Sequence, residues 1–314
     1  MSADDAEMRL DRWFKRHYPG LTHGRLEKLL RTGQVRLNGK RAQGSDRVAA
    51  GDNVRVPPLP AGDVPRSPPR ARPPLDERAA RELQSLVIYR DAEMLAIDKP
   101  AGLAVQGGTG TSKHLDAMLP ALQFDADEPP RLVHRLDRDT AGVLLLARTR
   151  KAAARLTSLF RTRDMRKIYW AVAVGRPKSD SGDIRLALAK RIGRAGEGEE
   201  RMVVDEKDGE PARTLYRLLD AASNKVSLLE LEPLTGRTHQ LRVHCAAIGT
   251  PILGDGKYGG KAAFLADAVP AQRLHLLARE LHVPRSGGGT TVIRAELPAH
   301  MRETMDFFSL APSG

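Results

Sequence analysis

The chain has 314 residues, of which 29% are charged and 41% hydrophobic, and its formal net charge is +12. The composition is typical of a soluble globular protein, and the length favours two domains over one. The isoelectric point near 10.1 indicates a polyanionic partner, although no run of like charge has the length of a histone-like tail. A single cysteine, Cys245, excludes a disulfide framework and a cysteine-based zinc site.

The sequence predicts neither secretion nor membrane insertion. Its first residues, MSADDAEMRLDRW, begin acidic and lack the apolar stretch of a signal peptide. No apolar run approaches the roughly 18 residues of a membrane span. We therefore expect a cytoplasmic protein that does not bind a membrane.

Residues 1–56 predict a small N-terminal domain of mixed α and β structure. Its first helix carries Leu10 and Phe14 on one face, and a second amphipathic helix follows. The segment GQVRLNGK, residues 33–40, predicts a strand that ends in an Asn-Gly turn, and GDNVRV, residues 51–56, predicts another strand.

Positive charge is densest in this small domain. Residues 1–56 contain 12 basic and 7 acidic residues, a net charge of +5, whereas residues 86–314 carry only +6. The bases recur on the second helix and on the strand after it, which favours an RNA-binding face over a merely solvated surface. The candidate RNA-binding residues are Arg25, Lys28, Arg31, Arg36 and Lys40. The pattern RLDRWF…LTHGRLEKLLRTGQVRLNGK resembles the small RNA-binding domain of the ribosomal-protein S-four type.

A proline-rich segment separates this domain from the rest of the chain. Residues 57–74 hold eight prolines, which cannot donate ladder hydrogen bonds and favour extended polyproline geometry. We therefore predict a linker over residues 57–85 and a second domain over residues 86–314.

The second domain is rich in predicted strands. These are SLVIYR, EMLAIDK, AGVLLLA, KIYWAVAV, RTLYRLL, KVSLLELEPL and TVIRAEL. Residues 150–164 and 237–248 predict helices. Because strands and helices do not alternate regularly, a doubly wound parallel sheet is not expected. The predicted fold is α+β, a mostly antiparallel mixed sheet with flanking helices.

The segment RLVHRLDRDTAGVLLLART, residues 131–149, contains the first candidate for chemistry. Asp137 lies on the turn that enters a buried strand, close to Gly142, where the backbone could approach a ligand. The neighbouring cations are expected to favour the ionised carboxylate, which suits a nucleophile or a base. The alternative is an ordinary turn aspartate that caps an element or forms a local ion pair.

The segment LEPLTGRTHQLRVHCAAIG, residues 231–249, contains the second candidate. It is predicted to pass from a strand into a helix that starts at Arg237, so free backbone N–H groups would favour a bound anion or carboxylate. Arg237 is the natural partner for a buried carboxylate, because its guanidinium stays charged and can bind in a bidentate manner. The alternative is a surface cation.

Four motifs together resemble the RluA-type pseudouridine synthases over residues 86–310. They are DKPAGLAVQGG, H-R-L-D-x-x-T-x-G, RKIYWAVAVG and T-G-R-T-H-Q-L-R-V-H, in the order that this family has. With the RNA-binding domain in front, the chain is most similar to the members that modify large-subunit ribosomal RNA, and GGTGTSKHLDAM favours the C type over the D type. The chain departs from the family pattern at two positions, with Ala141 where the family usually has serine and Gln106 where it often has histidine. These departures concern the subtype and not the reaction.

The resemblance implies isomerisation of uridine to pseudouridine in 23S ribosomal RNA, free or in a pre-ribosomal particle. Asp137 would act at the ribose end of the glycosidic bond, either by adding to carbon 1′ or by removing the proton from carbon 2′. Arg237 would pair with Asp137, and Tyr169 would pack on the target base and help to remove the proton from carbon 5. Arg135 would fill the gap left by the flipped nucleotide.

The same resemblance implies a monomer that needs no cofactor and no metal. Residues His239 and His244 would face different sides of a helix, which argues against zinc. Three alternatives remain at this point. They are a transfer-RNA pseudouridine synthase, a non-catalytic RNA-binding protein of ribosome assembly, and a glycoside hydrolase, which would need two carboxylates.

Overall fold

The structure is a computed structural model that describes residues 8–18, 20–59, 76–107, 114–192, 200–265 and 273–312. The chain divides into two compact units, Met1–Pro74 and Leu75–Gly314. Within the described ranges, no helix is both long and apolar enough to cross a lipid bilayer.

The first unit contains two helices and a three-stranded antiparallel sheet. The helices are α1 (Leu10–His17) and α2 (His23–Arg31), and the strands are β1 (Arg36–Leu37), β2 (Lys40–Arg41) and β3 (Val54–Arg55), in the sheet order β2-β1-β3. Helix α1 buries Leu10 and Phe14 as its spacing predicts. Asn38 and Gly39 both have positive φ, as a two-residue hairpin turn between β1 and β2 requires.

The second unit contains five α-helices, two short 3-10 helices and eleven strands among its described residues. The helices are α3 (Glu77–Ser85), α4 (Leu115–Met118), α5 (Arg150–Thr162), α6 (Gln240–Ala247) and α7 (Ala299–Phe307), with 3-10 turns at Leu119–Leu122 and Gly260–Ala263. The strands are β4 (Val87–Arg90), β5 (Met94–Lys99), β6 (Arg131–Leu132), β7 (Ala141–Ala147), β8 (Arg166–Val174), β9 (Ser181–Ile192), β10 (Glu200–Val204), β11 (Glu210–Ala222), β12 (Val226–Pro233), β13 (Leu276–Pro284) and β14 (Thr290–Arg294).

These strands form one large sheet. Its order is β10-β9-β11-β12-β8-β13-β7-β5-β4, with β14 paired to β13 and β6 paired to β7. Strands β7 and β13 run parallel, and the other pairs of described strands are antiparallel. The predicted α+β fold with a mostly antiparallel mixed sheet is confirmed.

Helix α3 corrects the predicted linker over residues 57–85. The Asp76 side chain caps this helix by accepting a hydrogen bond from the Arg78 N–H, and Leu83 is only 2% exposed. Leu83 packs in the same apolar cluster as Leu95 and Leu144. Residues 77–85 therefore pack with the second unit, because Leu83 is buried in its apolar cluster and the Gln84 side chain donates to the Ala121 carbonyl at 2.7 Å.

Strand β7 lies at the centre of this core, and all seven of its residues are buried. Gly142 adopts a φ of +107°, and a Cβ atom placed there would lie 2.3 Å from the carbonyl oxygen of Ala278 in β13. The expectation that Gly142 lets the backbone approach a ligand is therefore wrong. Its missing side chain instead allows two strands to approach each other.

A Gly142→Ala substitution should destabilise the protein by more than about 1 kcal/mol, because the new methyl group meets backbone and the φ disfavours an L-residue. Urea unfolding monitored by circular dichroism measures the change. Gly287→Ala is the matched control, because nothing lies within 4 Å of a Cβ built at Gly287 and its φ is not positive. Equal unfolding midpoints for the two variants would contradict the proposed packing constraint.

Candidate active site

A cavity of about 440 Å³ opens beside the Asp137 turn in the second unit. It brings together all four residues predicted for the catalytic domain, namely Arg135, Asp137, Tyr169 and Arg237. A neighbouring cavity of about 810 Å³ shares Asp137 with the first, so this carboxylate faces both spaces.

The Asp137 turn is held in place by backbone hydrogen bonds and by a buried lysine. The Thr140 N–H donates to the Asp137 carbonyl at 3.2 Å. Lys99 has 0% exposure, and its Nζ donates to three backbone carbonyls, including that of Arg138 at 2.9 Å. Burial lowers the pKa of Lys99 to about 8, and the charges of Asp139 and Asp137 act in the opposite direction. A buried ammonium thus fixes the chain next to the candidate catalytic carboxylate.

His134 connects the same turn to strand β7. Its Nε2 accepts a hydrogen bond from the Leu145 N–H at 2.8 Å, and its ring stacks on Phe160 with centroids 4.2 Å apart. Burial, assisted by the charge of Lys167, lowers the pKa of His134 to about 3. His134 is therefore neutral at physiological pH and positions the turn.

The Asp137 carboxylate is 23% exposed and lies near a histidine. Its Oδ1 is 3.8 Å from Nε2 of His239, and Nδ1 of His239 forms a 2.5 Å hydrogen bond with the Tyr258 hydroxyl. Burial lowers the pKa of His239, whereas Asp137 acts to raise it. His239 is the residue immediately before helix α6, and its φ of +52° lies in the left-handed region.

Arg242 is a buried cation close to this carboxylate, and the sequence analysis missed it. Its Nε and Nη2 donate to the two carboxylate oxygens of Asp255 at 2.8 and 2.6 Å, and its guanidinium lies 4.9 Å from the Tyr258 ring centroid. Burial opposes the charge of Arg242, but its bonds to Asp255 and the charges of Asp255 and Asp137 raise its pKa. An arginine between two apolar residues on the buried face of a helix is the signal that could have identified it.

Arg237 lies in the cavity but does not form the predicted pair with Asp137. Its guanidinium forms an ion pair with Glu210 and donates through Nε to the Pro211 carbonyl at 3.3 Å. The predicted helix start is also wrong, since α6 begins at Gln240. The Arg237 N–H donates to the Gln240 side chain instead, at 3.1 Å.

Gln240 explains why the helix starts late. Its Oε1 accepts hydrogen bonds from the Thr235 hydroxyl at 2.7 Å and from the Arg237 N–H, and its Nε2 donates to the Thr214 hydroxyl at 2.9 Å. Nδ1 of His244 hydrogen-bonds the same hydroxyl at 2.9 Å. This buried amide therefore ties the 235–239 loop to strand β11 before the helix begins.

Tyr169 lies on strand β8 and lines the cavity, as the alternation of the strand predicts. Its neighbour Ile168 is only 3% exposed, in the core of the sheet. Burial raises the pKa of Tyr169, and the charge of Asp137 raises it further. The phenol is therefore protonated at physiological pH.

The cations near Asp137 in sequence do not contact its carboxylate. Arg138 forms an ion pair with Asp139 at 3.1 Å. Arg135 is exposed, lines the cavity and forms no ion pair or hydrogen bond within the described part of the chain. Arg135 is therefore available to a ligand.

The five candidate RNA-binding residues of the first unit are all exposed. They lie on α2 and on the β1–β2 hairpin, and Arg36 donates to the Gly39 carbonyl at 3.2 Å. Among the residues that the structure describes, no group of three or more His, Cys, Asp or Glu side chains could hold a metal ion.

Comparisons with known proteins identify the family. Residues 93–247 match the model described as RNA pseudouridylate synthase, and residues 8–54 match the S4 domain. The chain is 35% identical to ribosomal large subunit pseudouridine synthase C of Escherichia coli, over 95% of this chain and 91% of that protein. It is 37% identical to the protein of the same name from Rickettsia conorii, over 81% of this chain and 82% of that one. The chain belongs to the RNA pseudouridine synthase family.

Two further relatives agree with this assignment. The chain is 38% identical to mitochondrial RNA pseudouridine synthase 4 of Arabidopsis thaliana and spans 62% of that longer protein. The solved structure of Human RNA Pseudouridylate Synthase Domain Containing 4 is 28% identical, with a TM-score of 0.61, and the match covers 74% of this chain and 96% of that one. The predicted family and its isomerase class are confirmed.

The buried, neutral His134 predicts a specific pH dependence of stability. Its pKa is about 3 in the folded pseudouridine synthase and about 6.5 when unfolded, so below pH 6.5 the unfolded chain binds the extra proton. The contribution of His134 to the free energy of unfolding is fully present above pH 6.5. It falls by about 1.4 kcal/mol for each pH unit between pH 6.5 and pH 3.

Urea unfolding of wild type and His134→Gln between pH 7 and pH 4 measures this dependence. The variant should lose stability less steeply with acid than wild type. His23→Gln, at an exposed histidine, is the control and should follow wild type. Parallel pH profiles for wild type and His134→Gln would contradict the assignment.

Proposed function

We propose that this protein converts specific uridines of large-subunit (23S) ribosomal RNA to pseudouridine, with Asp137 as the catalytic residue. The observation that carries the proposal is the Asp137 carboxylate, which faces a cavity shared with Tyr169 and with Arg135, a cation that has no ion-pair partner in the described ranges. The names of the bacterial relatives support the choice of the large ribosomal subunit.

The reaction is a rearrangement within one nucleotide. The bond from ribose carbon 1′ to N1 of uracil breaks, the base turns, and a bond from carbon 1′ to carbon 5 forms. Carbon 5 loses a proton and N1 gains one, so atoms and electrons balance without a co-reactant. We therefore propose that the enzyme needs no cofactor.

Asp137 acts at the ribose in this proposal. An ionised carboxylate serves equally as a nucleophile towards carbon 1′ or as a base towards the proton on carbon 2′. The buried cations Lys99 and Arg242 both have electrostatic interactions with Asp137. Arg242 is thus the buried arginine that interacts with Asp137, whereas Arg237 is paired with Glu210.

Tyr169 packs against the flipped base in this proposal. Its raised pKa favours a protonated phenol, which makes packing a better role for it than removal of the carbon 5 proton. Arg135, exposed and unpaired beside the cavity, fills the space that the flipped nucleotide leaves in the RNA. Arg237 lines the cavity and contacts the bound nucleotide.

The enzyme is further proposed to work as a monomer in the cytoplasm. The S4 domain and the bacterial relatives named for the large ribosomal subunit support a site of action where ribosomes are assembled. Mapping pseudouridine in ribosomal and transfer RNA, from cells with and without the gene, tests the substrate. Loss of pseudouridine from transfer RNA alone would overturn the ribosomal assignment.

Asp137→Asn should abolish pseudouridine formation, because the amide can act neither as nucleophile nor as base. RNA affinity should stay within a few-fold of wild type, since phosphate contacts come from cations elsewhere. Tritium release from uridine labelled at carbon 5 measures turnover. Asp139→Asn is the matched control, because it removes a neighbouring carboxylate that pairs with Arg138. Substantial turnover by Asp137→Asn would contradict the assignment of Asp137 as the catalytic residue.

Removing basic residues from helix α2 should weaken RNA binding and leave the chemistry intact. The double substitution Lys28→Ala and Arg31→Ala should raise KM and reduce the log–log salt slope of affinity by about 0.7–0.9 per lost phosphate contact. The value of kcat at saturating RNA should persist. The matched control removes two exposed lysines of the second unit, Lys178 and Lys261. A salt slope equal to that of wild type would show that these basic residues of α2 are solvated and do not contact RNA.

A further inference from the structure

Three cations, Arg161, Arg163 and Lys167, line the active-site cavity and have no role in the chemistry proposed above. Arg161 and Arg163 lie at the carboxyl end of helix α5, and Lys167 lies two residues before Tyr169 on strand β8. Because alternate residues of a strand share a face, Lys167 and Tyr169 enter the same cavity about 6–7 Å apart along the strand. Lys167 therefore lies beside the residue proposed to pack on the target base, and Arg163 is close enough to Lys167 to interact with it electrostatically.

These cations lack the anions that pair most other cations of this unit. Within the part of the chain that the structure describes, none of Arg161, Arg163 and Lys167 forms an ion pair or a side-chain hydrogen bond. The nearby carboxylate of Glu232 is bound at two oxygens by Arg166, through Nε at 3.1 Å and Nη2 at 3.0 Å.

Lys167 is half-buried, and its environment opposes its charge. Burial lowers its pKa, and the positive charge of Arg163 lowers it further, against a weaker effect of Glu232. Two cations that repel each other at the wall of a cavity cost free energy unless an anion joins them. The cavity thus has space and unsatisfied donors for an anion at this wall.

Arg163 also adopts a backbone conformation that arginine disfavours. It ends helix α5 with a φ of +68°, in the left-handed region where helices usually place glycine. An L-residue with a Cβ atom costs roughly 1 kcal/mol there. Arg161 lies in the last turn of the helix, where a cation is attracted to the helix carboxyl terminus. That attraction does not explain why an arginine, Arg163, occupies the left-handed position that follows.

We propose that Arg161, Arg163 and Lys167 form a subsite for a backbone phosphate of the RNA strand, next to the flipped uridine. The subsite rests on the function proposed above. Arginine and lysine donors supply the charge-assisted hydrogen bonds that a phosphodiester accepts, and Arg163 and Lys167 both gain the anion that their surroundings lack. The phosphate holds the strand while Tyr169 and Asp137 engage the nucleotide.

Arg163→Gly tests the subsite without endangering the fold, because glycine suits the left-handed position better than arginine. The probe is 23S ribosomal RNA transcribed in vitro, bound by the full-length protein at salt concentrations from about 50 to about 300 mM. We expect about tenfold weaker affinity at low salt, a salt slope smaller by about 0.7–0.9, and an unchanged or higher melting temperature. KM should rise while kcat at saturating RNA is kept.

Two further variants test whether the effect depends on the positive charge of residue 163 and on its position. Arg163→Lys should recover most of the affinity, since it keeps a cation at the same position. Lys151→Ala removes the same charge from an exposed residue near the other end of helix α5 and should behave as wild type. Unchanged affinity and salt slope in Arg163→Gly would overturn the subsite, and so would equal losses in Arg163→Gly and Lys151→Ala.

The same experiment separates this inference from the proposed function. If wild type formed no pseudouridine in 23S RNA, the proposed function would fail, and the binding measurements would still decide whether the three cations hold a phosphate. A methylphosphonate linkage beside the modified uridine removes one phosphate charge. It should weaken wild type more than Arg163→Gly, in which only Arg161 and Lys167 still contact that phosphate, whereas equal losses in the two proteins would show that Arg163 binds elsewhere.

Discussion

The active site depends on the close approach of strands β7 and β13 at Gly142. The two strands pair in parallel through only two residue pairs, and Ala278 of β13 lies opposite Gly142 on one side and opposite Tyr169 of β8 on the other. Neighbouring strands are about 4.8 Å apart, so the Asp137 turn and Tyr169 belong to strands separated by about 10 Å. A side chain at position 142 would force β7 away from β13 and enlarge the cavity between carboxylate and tyrosine.

Buried cations carry out the fine positioning inside this frame. Lys99 donates to three backbone carbonyls around the Asp137 turn, and Arg242 binds Asp255 at both oxygens. Burying a charge is costly unless hydrogen bonds satisfy it, and Lys99 uses all three of its donors while Arg242 binds a carboxylate at both oxygens. The charge of Asp137 in turn acts to raise the pKa of both cations.

The cations of the second unit differ in whether a carboxylate pairs with them. One group is paired with carboxylates and stabilises the sheet and its turns, as Arg166 does with Glu232 and Arg237 with Glu210. Others have no ion-pair partner among the described residues, and of these Arg135 and Arg163 line the cavity. In a protein of net charge +12, cations without ion-pair partners at the cavity suit the entry of a polyanionic strand there.

The strands with long apolar runs could be predicted from sequence, whereas β9, β10 and β13 could not. Strand β13 reads LLARELHVP, a composition rich in helix formers, and only its burial between β7 and β8 makes it a strand. Helix α3 was missed for a related reason, since the prolines before it obscured a short amphipathic segment whose one deeply buried leucine packs on the sheet.

The sequence by itself determined the family, the two-domain plan and the position of Asp137 at the start of a buried strand, because motifs and apolar periodicity are local properties. Only the tertiary structure decided which charges meet. Arg237 and Asp137 are one hundred residues apart, and their separation in space follows from how β11, α6 and the Asp137 turn pack together. Glu210 on β11 reaches Arg237, and Arg242 and His239 take the positions next to Asp137. Ion pairing depends on distances of a few ångströms between segments far apart in the chain, which residue spacing does not encode.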